Sequence, residues 1–243
     1  MGATEHKHIE ASSRQAWGRQ EFESQLRAKS RGYYSHHPFH VRLTSGGCTP
    51  DEIRCWIINH FYYQSCLPRK DAAILAHVSD RSQRQIWLQR ILDQDGVPGS
   101  PEQPGMLEAW TQLAEAAGID RNYLWSQEGV APAVRFACDA YIQFASRAVW
   151  QEAVCATLSE MFVGQMQKER IVTWPHHYPW IEQQALTCFR ADMQLSSERA
   201  EHALSVTLNH FKSRDEQDHA LRILQFKLDV LWSMLDAIEQ ACV

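Results

Sequence analysis

Apolar residues form two stripes along the C-terminal segment of the chain, from about residue 215 to residue 242. Both stripes repeat at the three- and four-residue steps of an α-helix. Their members are Leu221, Leu224, Leu228, Leu231 and Leu235 on one side, and Ile223, Phe226, Val230, Met234 and Ile238 on the other. Because a helix that is apolar on two sides is usually surrounded by other helices, the pattern predicts a central position in a helical bundle.

A second long pattern precedes this segment. Between Pro132 and Gly164 the chain contains neither proline nor glycine, so the sequence predicts one long helix over about residues 132–169. The residues that fall in line on its polar face are Thr157, Glu160, Gly164, Gln167 and Arg170, and those on the opposite side are Phe136, Tyr141, Phe144, Leu158, Met161 and Phe162. The pattern fits the wall of a polar pocket, and a solvated polar stripe would look the same.

Helical patterns cover most of the remaining chain. Thr49 as N-cap and Pro50 at the first helical position mark a helix start, and the apolar spacing that follows places His60 on the buried stripe. Pro68 is expected to open the next helix. Further helices are predicted near residues 21–29, 86–95, 106–117, 123–127, 181–193 and 197–212. The predicted fold class is therefore all-α, with a flexible N-terminal tail over residues 1–18 and a single domain over residues 19–243.

Composition narrows the range of functions. Glycine is 11 of 243 residues, which disfavours a turn-rich β architecture, and the seven cysteines are odd in number without a C-x-x-C pair. They therefore indicate small buried side chains rather than a disulfide framework or a zinc site. The net charge of −5 gives no case for nucleic acid, and no apolar run is long enough to span a membrane. The first residues lack an apolar signal core, so a cytoplasmic location is expected.

Charged residues within apolar stripes are the candidates for chemistry. Lys227 interrupts an apolar stripe, so its ammonium should find an anion or reach out to water. Arg90 and Gln94 share an inward face, and a buried arginine pairs naturally with a carboxylate. That carboxylate could be internal, Glu160 or Asp93, or could belong to a ligand.

Three histidines, His36, His37 and His40, could suggest a metal site. Pro38 breaks the helix that would set the spacing of the ligands, and no carboxylate stands beside them. The sequence therefore favours a site without a metal. It also contains none of the common phosphate-binding, dinucleotide-binding or hydrolase motifs.

The chain resembles the pyrroloquinoline-quinone synthase family over about residues 20–240. The matching segments include His36-His37-Pro38-Phe39-His40, Phe61-Tyr62-Tyr63-Gln64, Gln89-Arg90-Ile91-Leu92-Asp93, Trp150-Gln151-Glu152-Ala153 and Ile223-Leu224-Gln225-Phe226-Lys227-Leu228-Asp229. The resemblance implies a seven-helix heme-oxygenase-like bundle and a homodimer. It also implies a cofactor-free oxidase that closes the ring of a quinone precursor and uses O2 as oxidant, with pyrroloquinoline quinone (PQQ) as product or ligand.

The resemblance also implies a set of site residues. The positions that match the family's ligand-binding residues are Tyr33, Gln64, Lys70, Arg90, Tyr141, Glu160, Arg170 and Lys227. Buried cations would anchor the carboxylates of the precursor, and Lys227 is expected to be buried and to point into a central cavity that it shares with Arg90 and Arg170. Glu160 and His60 would be the remaining proton carriers of the site, and His60 is expected to titrate near neutral pH.

Several positions depart from the family pattern. Gln94 stands where the family has its principal proton-transferring histidine, and Gln167 replaces a second histidine. Cys188 and Asp192 stand in place of a tyrosine and an arginine beside the oxygen, while His60 replaces a ligand-binding arginine and Tyr34 a histidine.

Because glutamine does not titrate, these departures leave three alternatives to PQQ synthesis open. One is a divergent paralogue that oxidises a different substrate. Another is a protein that binds a quinone or related aromatic acid without catalysis, and the third is a metal-dependent oxidase on the same scaffold.

Overall fold

The computed structural model describes residues 15–242, and that part of the chain is helical without a strand. Its α-helices are α1 (Arg19–Ala28), α2 (Pro38–Thr44), α3 (Pro50–His77), α4 (Arg81–Asp95), α5 (Gly105–Ala116), α6 (Arg121–Ser126), α7 (Pro132–Arg147), α8 (Trp150–Ala156), α9 (Val163–His177), α10 (Thr187–His210) and α11 (Arg214–Cys242). Short 3-10 turns cover Lys29–Gly32, Tyr34–His36, Thr157–Phe162 and Gln183–Leu186. The predicted all-α class is confirmed.

Helix α11 packs against α3, α7 and α8. Both of its predicted apolar stripes contribute to the core: Leu224, Leu228, Leu231 and Leu235 are buried from one, and Ile223, Val230, Met234 and Ile238 from the other. Its predicted central position is therefore confirmed. Aromatic side chains from α3, α5, α9 and α10 form a second part of the core, in which Trp56, Trp110, Trp174 and Phe189 meet at ring-centroid distances of 5.0–6.5 Å.

Helix α3 begins where the sequence predicts. The Glu52 backbone N–H donates to Thr49 Oγ1 at 3.2 Å, and the Thr49 backbone N–H donates to Glu52 Oε2 at 2.7 Å. The two residues thus form a capping box. The expected helix start at Pro68 is wrong, because Pro68 lies within α3, which continues to His77. Pro68 is itself buried, so the helix continues through it within the core although proline removes one backbone hydrogen bond.

The expected single helix over residues 132–169 is also wrong. The backbone is extended at Ala148 and Val149, which separates α7 from α8, and the 3-10 turn Thr157–Phe162 separates α8 from α9. The polar and apolar faces predicted for one helix therefore belong to several elements. Phe136, predicted on the apolar side, is 79% exposed. The interruption has a structural consequence, since the 3-10 turn brings Glu160 into the bundle.

Two further predicted helices form one. The segments expected near residues 181–193 and 197–212 are joined in α10, which follows the turn Gln183–Leu186. The residues between them, Gln194, Leu195 and Ser196, include no helix breaker. Continuity matters for the site, because α10 then carries Cys188, Asp192 and later residues on one rigid element.

The predicted tail of residues 1–18 falls largely outside the described residues, which begin at residue 15. Within the described part, Trp17 is fixed to α11. Its backbone N–H donates to Gln217 Oε1 at 2.8 Å, and Gln217 Nε2 donates back to the Trp17 carbonyl at 3.0 Å. The Arg214 guanidinium lies 3.5 Å from the centre of the Trp17 ring. None of the helices within residues 15–242 is both long and apolar enough to cross a lipid bilayer.

One disulfide corrects the cysteine analysis. Cys55 of α3 is bonded to Cys242 at the end of α11, with Cα atoms 5.7 Å apart. The five remaining cysteines are free and buried, as expected: Cys48, Cys66, Cys138, Cys155 and Cys188. An odd number of cysteines without close spacing gave no sign of this pair, because its members are 187 residues apart.

We expect Cys242→Ser to lower the free energy of unfolding by about 2–4 kcal/mol, since the cross-link restricts a long loop in the unfolded chain. Thermal unfolding with and without a reducing agent measures the effect. The variant should behave like the reduced natural protein and should itself be insensitive to the reductant. A natural protein whose unfolding midpoint does not change on reduction would contradict the prediction.

Candidate active site

A cavity of about 40 Å³ lies at the centre of the bundle, between α3, α7, α9, α10, α11 and the turn that carries Glu160. It is lined by eight of the residues predicted from the sequence: Tyr33, His60, Gln64, Tyr141, Glu160, Gln167, Asp192 and Lys227. Pockets that hold a drug-sized ligand are typically about 300–1,000 Å³. The lining side chains therefore leave too little space for a ligand of that size.

Lys227 is the most unusual group of this cavity. Its side chain is buried, and its Nζ donates to Tyr63 Oη at 3.0 Å. Nζ also lies 3.9 Å from the ring centre of Tyr141 and 4.6 Å from that of Tyr63. No carboxylate within residues 15–242 forms an ion pair with it. Burial, together with the positive charge of Lys70, lowers the pKa of Lys227 to about 7.

The other predicted cations form ion pairs behind the cavity wall. Arg90 donates to both oxygens of Glu160, at 3.1 and 2.5 Å, and its Nε lies 3.6 Å from Asp71 Oδ1. Lys70 forms a buried ion pair with Asp71. Two of the carboxylates are therefore neutralised within the protein, and of the partners left open for Arg90 the structure has Glu160.

Arg170 is buried against aromatic rings. Its guanidinium lies 5.0 Å from the ring centre of Trp56, and its nitrogens reach His40 Nδ1 at 3.2 Å and Gln167 Oε1 at 3.3 Å. Burial and the neighbouring Arg170 charge lower the pKa of His40 to about 2, so that a neutral imidazole accepts this bond. Lys227 is buried at the cavity as expected, but among the described residues its ammonium bonds the Tyr63 hydroxyl instead of reaching an anion or water. The expectation that Arg90 and Arg170 line the same cavity is wrong, because internal partners hold both behind it.

The substituted positions are connected to one another. Gln167 Nε2 donates to Asp192 Oδ2 at 2.6 Å, so two of the departures form a hydrogen-bonded pair. Burial raises the pKa of Asp192 and that of the buried Cys188 thiol. Gln94 is buried but does not line the cavity, and its Oε1 has no hydrogen-bond partner within the described part of the chain.

The surroundings of the expected proton carriers, His60 and Glu160, shift the pKa of both away from neutrality. Burial, with the charges of Arg170 and Lys227, lowers the pKa of His60 well below its usual value. The expectation that His60 titrates near neutral pH is therefore wrong. Gln64 Nε2 lies 3.3 Å from the neutral His60 Nε2 and donates to it. The Arg90 charge holds the pKa of Glu160 at about 2 against the opposing effect of burial, so Glu160 remains ionised. Lys227 has the pKa closest to neutrality among these groups.

Some lining residues were missed by the sequence analysis. They include Tyr63, Ser159, Ser196 and Arg199. Tyr63 lies beside Gln64 on α3, and only the contact with Lys227 shows its role. Ser196 and Arg199 follow Asp192 by four and seven residues on α10, a spacing that places all three on one helix face. The erroneous division of α10 into two helices hid that relation.

The donor set at the site does not resemble a metal centre. Within residues 15–242, no three or more His, Cys, Asp or Glu side chains come together where they could hold a metal ion. His37 instead lies 2.9 Å from Asp236 and accepts a bond from the Phe39 backbone N–H at 3.1 Å, while His40 faces Arg170. These histidines hold helices together.

A shallower cleft adjoins the central cavity. It has a volume of about 230 Å³ and is formed by α9, α10 and Arg27 of α1. Glu160 and Ser196 line both the cleft and the cavity. The cleft and the cavity therefore share part of their lining.

The chain is similar in sequence to proteins of known name over most of its length. The pyrroloquinoline-quinone synthase of Pseudomonas aeruginosa is 51% identical over 229 residues, which cover 94% of this chain and 90% of that protein. The protein of the same name from Ectopseudomonas mendocina is 51% identical over 221 residues, covering 91% and 87%.

Two solved structures share the fold. A heme oxygenase-like domain of unknown function from Shewanella denitrificans has a TM-score of 0.73 at 12% identity and covers 92% of this chain and 93% of its own. A TenA homologue from Pseudomonas syringae has a TM-score of 0.70 at 15% identity, covering 98% and 100%. These similarities confirm the predicted heme-oxygenase-like fold. Residues 23–237 match the TENA/THI-4/PQQC family, and the chain belongs to that family.

Proposed function

We propose that this protein is an oxidoreductase of PQQ biosynthesis, which closes the ring of the quinone precursor and oxidises it to PQQ. The relatives that share half of its sequence over nine-tenths of its length carry the name of that synthase. The observation at the site that supports the proposal most directly is Lys227, a buried cation in a cavity lined by tyrosines, which has no carboxylate partner among residues 15–242. Such a group is suited to an aromatic polycarboxylate.

Binding requires the cavity to open, since about 40 Å³ cannot hold a fused aromatic acid. The ion pairs at the wall provide a means. Arg90 and Lys70 can exchange Glu160 and Asp71 for carboxylates of the ligand, so that each cation keeps a partner throughout. Glu160, which faces both the outer cleft and the cavity, would move first.

In the proposed reaction the protein supplies orientation and proton transfer. Lys227 would take up or release a proton near neutral pH, and Tyr141 and Gln64 would donate hydrogen bonds to the quinone oxygens. The oxidant is proposed to be O2, without a metal or an organic cofactor. By the same family resemblance we propose a homodimer located in the cytoplasm.

A divergent paralogue with another substrate, or a binding protein without catalysis, is not favoured. Substitution at positions of the family's site, such as Gln94, was the reason to consider both. The high identity to proteins named as the synthase argues against them. In addition, two of the substituted groups, Gln167 and Asp192, are hydrogen-bonded to each other.

The proposed function is tested by incubating the purified protein with the ring-open precursor, in air and without oxygen. We expect PQQ to form in air at least about 100-fold faster than without protein, and not to form without oxygen. Gln94→His serves as the comparison variant. Product formed by this variant but not by the natural protein would instead indicate a binding protein. No product from either would refute the proposal.

A further inference from the structure

We infer that Arg199 of α10 binds a carboxylate of the ligand in the central cavity, as a second cation beside Lys227. The inference rests on the proposed function for the class of ligand, an aromatic polycarboxylate. Arg199 lines the cavity, and only 10% of its side chain is exposed. Among residues 15–242 it is thus the arginine that lines the cavity, whereas Arg90 and Arg170 stand behind it.

One edge of the Arg199 guanidinium is already fixed. Its Nη2 donates to Asp93 Oδ2 at 2.8 Å, and the other oxygen of Asp93 accepts from Gln89 Nε2 at 2.8 Å. Asp93 is therefore held in place from α4, and it fixes the plane of the guanidinium in turn. A cation positioned in this way loses little side-chain entropy when it binds a second anion.

One donor of the guanidinium, Nε, is not satisfied by the described residues. Arg199 Nε is buried, and within residues 15–242 it has no hydrogen-bond partner. A buried donor without an acceptor destabilises the folded protein, and a ligand oxygen that accepted its hydrogen bond would remove this cost. The carboxylate of Asp192, on the same face of α10, does not fill this position, and it accepts a hydrogen bond from Gln167.

The cavity also presents two cations to a ligand. Within the described lining these are Lys227 of α11 and Arg199 of α10, which keeps Asp93 as a partner but has its Nε unbonded, while His60 is neutral. Of the two lining carboxylates, Glu160 is neutralised by Arg90, and Asp192 is hydrogen-bonded to Gln167. A ligand with two separated carboxylates could therefore meet one cation with each, which a monocarboxylate could not do.

A purely structural role for the Arg199–Asp93 ion pair makes a different prediction. In that case, removal of the charge would lower the stability of the protein without changing its relative affinity for anionic ligands. Ligand affinity of the folded protein separates the two roles. Arg190 provides a matched control, because it is an exposed arginine on the same helix that donates only to the Gln183 carbonyl.

The experiment is calorimetric titration of the full chain with PQQ and, separately, with pyridine-2,4,6-tricarboxylate. The variants are Arg199→Gln, Arg199→Lys and the control Arg190→Gln, each with its unfolding midpoint measured. We expect Arg199→Gln to bind both probes at least tenfold more weakly, Arg199→Lys to recover part of this loss, and Arg190→Gln to remain within twofold of the natural protein. Should Arg199→Gln fail to fold, a loss of threefold or more in Arg199→Lys supports the inference.

The outcomes separate the inference from the proposed function. Unchanged affinity in the folded Arg199 variants would overturn the inference and leave the proposed function intact. A natural protein that binds the tricarboxylate but neither binds PQQ nor converts the precursor would refute the proposed function, and Arg199 would then be judged on the tricarboxylate. Failure of the natural protein to bind either probe would overturn the inference as well.

Discussion

Replacing Lys227 by methionine is expected to weaken the binding of PQQ by at least about 100-fold and to stabilise the protein at the same time. The loss of affinity follows from the removal of a desolvated cation that no carboxylate of the described residues neutralises, since charge-assisted hydrogen bonds of this kind contribute several kcal/mol to binding. The gain in stability follows from the same feature, because burying an ammonium without an anion is unfavourable. Methionine fills a similar volume without a charge.

The stability gain should depend on pH in a defined direction. The pKa of Lys227 is about 7 in the folded protein, against the ordinary lysine value of 10.5 that applies to the unfolded chain. Below pH 7 both states are protonated and the full cost applies, at most roughly 5 kcal/mol for a shift of this size. Between pH 7 and 10.5 the unfolded chain binds the additional proton, so the stability of the natural protein rises with pH. The advantage of Lys227→Met should therefore be large at pH 6 and small at pH 10.

Binding should show the opposite dependence. Because an anionic ligand needs the protonated ammonium, the affinity of the natural protein should fall by up to about tenfold for each pH unit above 7. Lys227→Met should lack this step. Lys212→Met is the matched control, since Lys212 is exposed and its ammonium donates only to the Leu208 carbonyl. Affinity that is independent of pH from 6 to 9, or equal in Lys227→Met, would contradict the assignment.

Lys227 could be found from sequence because its position depends on local periodicity. A helix repeats every 3.6 residues, so a lysine that falls within an apolar stripe of that period can be recognised from the sequence alone. His60 was placed in the interior by the same argument, which is correct. Its protonation was not predictable in this way. The charges that lower its pKa come from Arg170 and Lys227, which are distant in sequence.

The features that were missed depend on contacts between distant segments. The continuation of α3 through Pro68 depends on packing around it, and the extended backbone at Ala148–Val149 has no proline or glycine to mark it. The disulfide joins residues 187 positions apart. Arg199 was not predicted as a site residue for a related reason. Its neighbours along α10 are polar, so the sequence pattern does not show that this side chain lies at the cavity.

The ion pair between Glu160 and Arg90 gives the second large expected effect. Glu160→Gln should lower the free energy of unfolding at pH 7 by about 3 kcal/mol, because it leaves the buried Arg90 without its carboxylate while keeping an oxygen acceptor in place. Chemical denaturation at pH 7 measures the loss. Glu115→Gln is the matched control. Glu115 pairs with Arg121 at 3.0 Å, but both side chains are more than 40% exposed, so its removal should cost less than about 1 kcal/mol.

The same pair should appear in the acid stability of the protein. The pKa of Glu160 is lowered from 4.5 to about 2 in the folded state. Its contribution is thus fully present above pH 4.5 and is lost as the pH falls towards 2, when the folded protein also takes up the proton. The linkage amounts to at most about 3 kcal/mol, reduced by screening because 21% of the Glu160 side chain is exposed. Glu160→Gln lacks this contribution at every pH. The stability of the natural protein should therefore fall towards that of the variant as the pH approaches 2. A difference between the two proteins that is equal at pH 7 and pH 3 would show that the change acts through packing rather than through the charge of Glu160.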